Sequence, residues 1–499
     1  MTNSIEATPV LVIGAGVMGS GIAQVAAQAG HPVMLYDLHA QAATDAKSGL
    51  VEIFDRLVAK GKLSAAEATR IWARIIPLET LEDASKAGLV IEAVIEDIEI
   101  KRGMFQHLES IVSEDCLLAT NTSSISITAI AKGLSNPGRL VGMHFFNPVA
   151  LMKLVEVVSG LQTEPAIAER IIALAKRWGK VPVRANSTPG FIVNRIARPF
   201  YAEALALLQE QAATPEQIDT CMRGAGFRMG PCELMDLIGH DTNLAVTTSV
   251  FEANFYDQRY LPSQLQTEMV AGGLLGRKSG RGFYDYNNKV DAKPGEFSKP
   301  DVLPSRESLS VHGHGPLSDL IGAQLRKYDC PFEAVLDSDW TGLQVGNAQL
   351  RLCDGRPASE FGQDVSVFDL PLVTTEGTAL AWSPATTASP QWVDACEAWL
   401  AVLGFRALRI ADVPGLIIAR SIAMLINEAS DAVHQGVCDE ASADVAMQLG
   451  VNYPAGPFEW LDSWKADAII QLLDRLDRYY RGERYRVSPL LRHKHWQNE

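Results

Sequence analysis

His144 and Glu156 sit in settings that ask for a chemical explanation. His144 follows an apolar run and precedes Phe145 and Phe146, and Glu156 interrupts the apolar stretch "LVEVV". A carboxylate in such a strand needs a partner to offset its desolvation, unless the strand is an edge and the side chain faces water. An imidazole is a suitable partner. The carboxylate would orient the ring and favour its charged form, as in a general base held by an acid. A core histidine satisfied by hydrogen bonds is the structural alternative for His144.

A second constellation lies near the start, in "VLVIGAGVMGSGIAQVAAQAGHPVMLYD" (10–37). A β-rich run leads into Gly14-x-Gly16-x-x-Gly19, then a small-residue helix, then a second apolar run ending at Asp37. Gly14 permits the tight turn, Gly16 lets the backbone approach a pyrophosphate, and Gly19 lets the helix pack on the strand. Val17 and Met18 open the helix, whose free N–H groups and positive dipole end face the phosphates. Asp37 stands 37 − 19 = 18 residues past the last glycine, near the ~20 expected of the carboxylate on the adenosine ribose. Neither Leu38 nor His39 supplies an arginine for a 2′-phosphate, which favours NAD over NADP.

These residues need a frame. Strand patterns at 88–94, 116–124, 139–148 and 154–159 have helical patterns between them. That alternation predicts a parallel, doubly wound α/β sheet with ligands outside the carboxyl ends of its strands. Asn121, Ser123 and His144 all fall near strand ends on this reading.

"NTSS" (121–124), "GMHFFNPV" (142–149), "MKLVEVV" (152–158), "TPGFIVNR" (188–195) and "GRKSGRGFYDY" (276–286) then occur in order. With them, residues 8–286 strongly resemble the L-3-hydroxyacyl-CoA dehydrogenases. The resemblance implies a Rossmann-type domain followed by an all-α domain, with NAD as cofactor and an acyl-CoA as substrate. It implies His144 as general base, Glu156 as its orienting partner, and Ser123 and Asn194 as hydrogen bonders to the substrate. It places Glu92, Lys101 and Asn121 on the NAD. A helical arm contacts the coenzyme in this family, and Lys60 and Lys62 are the cations expected there; a solvated helix face is the alternative. Among tandem-module bacterial members, the resemblance points to 3-hydroxyadipyl-CoA in phenylacetate breakdown, or to 3-hydroxybutyryl-CoA. A non-catalytic NAD-binding structural protein is the reading from another class, and the intact Ser123, His144, Glu156 and Asn194 argue against it.

Bulk properties agree. A chain of 499 residues suggests roughly three domains. A formal charge of −15 disfavours a nucleic-acid partner. Seven cysteines without a C-x-x-C pair read as reduced thiols in a cytoplasmic protein, with no zinc site. No basic segment opens the chain as a leader would, and no apolar run approaches the roughly 18 residues of a membrane span.

"TPGFIVNR" returns as "VPGLIIAR" (413–420), an offset of 414 − 189 = 225. Gly179, Glu203, Asp219 and Met222 recur at the same offset as Gly404, Glu428, Asp444 and Met447. "GPCELMD" (230–236) recurs as "GPFEWLD" (456–462) with one residue inserted. Turn and packing residues recur; chemistry does not. His144 projects to Asp369, Glu156 to Ala381 and Asn194 to Ala419. The expected layout is an NAD-binding Rossmann domain (1–186), a helical domain (187–288), a linker (289–330), a degenerate Rossmann-like piece (331–405) and a second helical domain (406–499). Family members with one module dimerise through the helical domain. The second copy is therefore expected to form an intrachain pseudo-dimer with the first, leaving a homo-oligomer of the whole chain open. His312 and His314, in the expected linker, read as solvated residues.

Overall fold

The computed structural model describes residues 8–39, 41–288, 297–302, 304–305 and 307–497. The first seven residues, on which the expectation of no leader falls, and residues 289–296 of the expected linker lie outside them. The chain divides into two compact units, Met1–Arg195 with Gln435–Val451, and Ile196–His434 with Asn452–Glu499.

The first unit is built on eight strands: β1 Val10–Ile13, β2 Val33–Tyr36, β3 Ile75–Pro77, β4 Leu89–Glu92, β5 Leu117–Thr120, β6 Leu140–Phe145, β7 Leu154–Ser159 and β8 Val181–Asn186. Their order is β3-β2-β1-β4-β5-β6-β7-β8. The order reverses between β1 and β4, the switch point at which dinucleotides bind in such sheets. β1, β4 and β5 are buried along their whole length, as expected of parallel strands covered on both faces. One expectation changes: β6 and β7 run antiparallel. Only residues 146–153 join them, too few for a helical crossover.

The second unit contains a seven-stranded sheet: β9 Leu309–His312, β10 Glu333–Val335, β11 Gly342–Val345, β12 Ala348–Leu352, β13 Val365–Phe368, β14 Thr378–Pro384 and β15 Phe405–Arg409. It begins inside the segment expected to be a linker, where β9 and the helix Pro316–Arg326 both belong to the fold. His312 is accordingly a strand residue, stacked on Trp340 with centroids 4.1 Å apart. The Pro/Ser/Gly content hid a short strand whose Leu309 and Val311 are buried. From β12 to β15 the pairing runs parallel, antiparallel, parallel. That is the sequence of pairings from β5 to β8.

The helices carry the repeat further. In the second unit, Pro215–Gly224 packs on β14; in the first, Glu440–Gly450 packs on β7 and β8. Each unit thus receives a helix from the other repeat. Backbone bonds repeat likewise: Asn186 N–H donates to Val437 O at 2.8 Å in the first unit, and Ala411 N–H to Ala212 O at 2.9 Å in the second. Within the second unit, the helices Arg198–Gln209 and Ile418–His434 pack together. Buried Glu203 receives Arg420 Nε at 2.6 Å, Arg484 Nη2 at 2.9 Å and the Tyr485 hydroxyl at 3.0 Å. Glu428, its counterpart, receives Arg259 at 3.2 Å and the Tyr260 hydroxyl at 2.6 Å. Burial would raise the Glu203 pKa, but Arg484 and Arg420 hold it low.

Candidate active site

The glycine turn adopts the geometry its spacing requires. Gly14 has φ +98°, and a Cβ there would lie 2.5 Å from the Ala93 carbonyl oxygen. At Gly19 a Cβ would strike the Gly14 carbonyl, whereas at Gly16 it would meet nothing within 4 Å. The open space at Gly16 leaves room for a phosphate to approach the backbone. The helix Val17–Gln28 has no side-chain cap, so its first N–H groups remain donors for an anion. Val17 is exposed and Met18 packs partly against the core. Asp37, just past β2, accepts Ala15 N–H at 2.7 Å and His39 N–H at 2.9 Å. Both bonds hold its carboxylate beside the glycine turn. These features fit a dinucleotide.

His144 lies in β6 directly opposite Glu156 in β7. Its Nδ1 is 2.6 Å from Glu156 Oε2, and the residues are 7% and 0% exposed. Glu156 Oε1 accepts the backbone N–H groups of Ile192 and Val193 at 3.1 and 2.9 Å. Those residues lie in the "TPGFIVNR" turn, and half-buried Asn194 follows them in the short helix Val193–Ile196. Phe146 and Phe191 flank the imidazole, with ring centroids 4.6 and 6.0 Å away. Glu156 thus holds the imidazole through Nδ1 and leaves Nε2 as the ring nitrogen turned away from the carboxylate.

Asn121 and Ser123 follow β5, next to β6. The Asn121 side-chain oxygen accepts Phe145 N–H at 2.8 Å, tying the loop to the residue after His144. The loop carrying Ser123 is organised by Glu96, which sequence reasoning missed. Glu96 Oε1 accepts the Thr122 hydroxyl at 2.6 Å, Ser123 N–H at 2.9 Å and Ser124 N–H at 3.1 Å. Burial would raise the Glu96 pKa; Thr122, Lys101, Ser123 and Ser124 together hold it low. "EAVIEDIEIK" carries several carboxylates in ten residues, so periodicity alone could not single this one out.

Two of the expected cofactor contacts are buried. Glu92 is 0% and Lys101 1% exposed, and they pair at 2.5 Å beneath the crevice. Thr120 takes the other Glu92 oxygen at 2.6 Å. The two charges face each other inside the unit. Lys101 also reaches Glu96 at 3.3 Å, and it is Glu96, 36% exposed at its side chain, that has an open face. Lys60 caps the helix Ala42–Ala59 and Lys62 follows Gly61; both are exposed. Neither is drawn toward the His144–Glu156 pair by any bond among the described residues.

Comparison with known proteins places this geometry. Residues 9–188 match the 3-hydroxyacyl-CoA dehydrogenase NAD binding domain, and residues 190–286 and 415–498 match the C-terminal domain of the same enzymes. The chain belongs to the 3-hydroxyacyl-CoA dehydrogenase family. It is an NAD-dependent oxidoreductase of that family. Residues 350–414 match the 3-hydroxybutyryl-CoA dehydrogenase reduced Rossmann-fold domain. The chain is 43% identical over 492 residues to the 3-hydroxyadipyl-CoA dehydrogenase of Escherichia coli K12, covering 98% of both chains. It is 44% identical over 287 residues to a probable 3-hydroxybutyryl-CoA dehydrogenase of Bacillus subtilis, covering 57% of this chain and 100% of that one. The crystal structure of 3-hydroxybutyryl-CoA dehydrogenase from E. coli K12 superposes with a TM-score of 0.88 at 42% identity, again over 98% of both. The glycine turn and the buried pair both lie within residues 9–188, the span of the NAD binding domain match.

Proposed function

We propose that the chain oxidises L-3-hydroxyadipyl-CoA to the 3-oxo thioester, with His144 as general base. The buried His144–Glu156 pair, at 2.6 Å, carries the assignment of roles. The full-length likeness to the E. coli 3-hydroxyadipyl-CoA dehydrogenase supports the substrate and, with it, a place in phenylacetate breakdown.

NAD, when bound, supplies the hydride acceptor. Gly14, Gly16, Gly19, Val17 and Met18 hold its pyrophosphate, Asp37 its ribose, and Asn121 the end nearer the chemistry. His144 Nε2 takes the proton of the substrate 3-hydroxyl. Glu156 fixes the tautomer and stabilises the imidazolium that results. Ser123 and Asn194 hold the 3-oxygen and the thioester end. Lys60 and Lys62 receive the anionic coenzyme, which an acidic chain must meet with local positive charge. The 3-hydroxybutyryl ester is the second substrate reading, favoured by the family match at 350–414.

The reading extends to assembly. The helical segments 187–288 and 406–499 act as a pseudo-dimer within one chain, and the second sheet is the remnant of a Rossmann domain. The matched pairs around Glu203 and Glu428 support this. They have the self-complementary form of a two-fold interface. No helix among the described residues is long and apolar enough to cross a membrane. The seven free cysteines support a reducing, cytoplasmic setting.

NADH formation with a panel of L-3-hydroxyacyl-CoA esters tests the chemistry. His144→Gln is expected to lower kcat by roughly 10³-fold. NAD binding without turnover of any ester would refute the catalytic reading. Ending the chain near residue 290 tests the pseudo-dimer, since a truncated form that stays monomeric and fully active would overturn it.

A further inference from the structure

In the second unit, the helix Ala466–Tyr480 packs on the connection that leaves the carboxyl end of β12. Arg475 Nη1 donates to the carbonyl of Asp354, two residues past that strand, at 2.8 Å, and pairs with the Asp354 carboxylate at 2.7 Å. A Cβ at Gly355 would lie 2.9 Å from the Leu472 carbonyl oxygen, so helix and connection meet backbone to backbone. The same helix and connection wall a cavity of about 390 Å³, lined by Glu360, Arg475, Arg478, Tyr479 and Arg481. At ~30 Å³ per water, it has room for a diphosphate. Asp354 already serves two cations, Arg475 and Arg356, the second at 2.6 Å. Arg478 and Arg481 are exposed, and no described residue pairs with or hydrogen-bonds to either guanidinium.

The repeat shows that the helix does not need these cations. Its counterpart is the helix His240–Ala253, at an offset of 466 − 240 = 226, the offset of the "GPFEWLD" copy. Arg475, Arg478 and Arg481 project to Ser249, Glu252 and Phe255. Phe255 and Arg481 both take the left-handed conformation, at φ 55° and 54°, which confirms the register. The framework was built twice, and one copy carries no guanidinium at these places. Their position matters as well. β12 repeats the pairing of β5, and ligands of such sheets sit outside the carboxyl ends of the strands. In a chain of formal charge −15, the guanidinium groups of Arg356, Arg475, Arg478 and Arg481 outnumber the carboxylates of Asp354 and Glu360 here.

We propose that this cavity is a diphosphate-binding site in which the Arg478 and Arg481 guanidinium forks take the phosphate oxygens. Planar, bidentate donation to phosphate is what arginine does best. Arg475, held by Asp354, adds positive charge from a fixed place. Two sources present the group: free diphosphate, or a nucleotide that carries it. Tyr479, 55% exposed, offers a ring on which a base can stack. Glu360 is the single acid on the wall and opposes the charge of the ligand, which gives the site a control of opposite sign.

The test titrates the full chain calorimetrically with sodium diphosphate and with ADP, under saturating NAD so that the glycine turn is filled. Wild type is compared with the double variant Arg478→Gln/Arg481→Gln, with Glu360→Gln and with Tyr479→Ala. Affinity is expected to fall on the order of a hundredfold in the double variant and to rise several-fold in Glu360→Gln. Added salt weakens binding to wild type. With free diphosphate as source, both ligands bind equally and Tyr479→Ala changes neither. With a nucleotide as source, ADP binds more tightly than diphosphate, and Tyr479→Ala removes the difference. Melting temperatures equal to wild type report that the variants are folded. No binding to NAD-saturated wild type, or an affinity that the double variant and Glu360→Gln both leave unchanged, would overturn the proposal.

Discussion

His144 and Glu156 face each other across β6 and β7 in the first unit. In the second, 225 residues later, Asp369 and Ala381 occupy the corresponding pair beside β13 and β14, where Asp369 N–H donates to Ala381 O at 2.9 Å. Behind each pair a Pro-Gly turn delivers the start of a helix into the core. Phe191 and Leu416, which follow the two glycines, both have φ 46°. The orphan N–H groups at each helix start need an acceptor. In the first unit Glu156 supplies it with one oxygen and holds His144 with the other. In the second, Asp369 supplies it from the opposite strand. It accepts Ile417 and Ile418 on Oδ2 at 2.9 and 2.6 Å, and Ala419 on Oδ1 at 2.9 Å. The anchor survived by moving to the histidine's position; the imidazole did not survive. On the proposed reading the Glu156 carboxylate does two separable things, and only one of them is chemistry.

The sharpest way to break this comparison is to remove both carboxylates in turn. Glu156→Ala is expected to lower kcat by roughly 10³-fold or more, because His144 loses its orientation. It also lowers the melting temperature, since two buried N–H groups lose their acceptor. Asp369→Ala strands four N–H groups, that of Leu370 included, and is expected to cost about 3 kcal/mol in denaturant unfolding. Its kcat per folded molecule should stay at the wild-type value. Equal kinetic losses in the two variants would show that the anchors do not separate in this way.

The helix exchange gives the next contrast. A Cβ at Gly224 would lie 2.7 Å from the Ala379 carbonyl oxygen in β14. At Gly450 it would lie 2.8 Å from Leu154 Cδ2 and 3.0 Å from Val193 Cγ2. Backbone cannot step aside as a leucine can. Gly224→Ala is thus expected to destabilise by about 1–3 kcal/mol, and Gly450→Ala by less. Gly450→Ala should instead lower kcat several-fold, because Val193 carries an N–H that holds Glu156. Matching melting curves with unchanged kcat in both would remove the distinction.

The smallest effect is read against pH. Burial raises the Asp369 pKa to about 6 against the four backbone N–H bonds that lower it. The folded chain therefore binds a proton at a pH where the unfolded chain has released it. The resulting stability is complete below about pH 4, falls as pH rises toward 6, and is gone above. Relative to Asp369→Asn, wild type should lose up to about 1.4 kcal/mol per pH unit across that window. Parallel stability–pH curves for the two would contradict the assignment.

Several residues were legible in the sequence because their constraint is local. The glycines of the β1 turn are set by backbone sterics within six residues. Asp37 is set by the length of one helix and one strand. Glu156 was conspicuous as a charge in an apolar strand, and its partner could be named because one histidine lay in the neighbouring strand pattern. Glu96 was not legible, since choosing among adjacent carboxylates depends on which one the loop after β5 folds over. Glu92 and Lys101 were legible as candidate cofactor contacts, and only the tertiary structure showed that they pair with each other. The strand β9 was masked by turn-forming composition, because its β pairing is supplied by β10 and β11, residues 333–345, and not by its own propensity.

The sequence alone determined the glycine turn, the family motifs, the repeat and the loss of its chemistry in the second copy. Each depends on residue identity at fixed chain spacing. The tertiary structure decided where charges were spent. It put the second copy's anchor on Asp369, packed Glu440–Gly450 against β7 and β8, and left Arg478 and Arg481 on the wall of a cavity. Those outcomes depend on which groups desolvate each other, a property of three-dimensional neighbours that chain spacing does not carry.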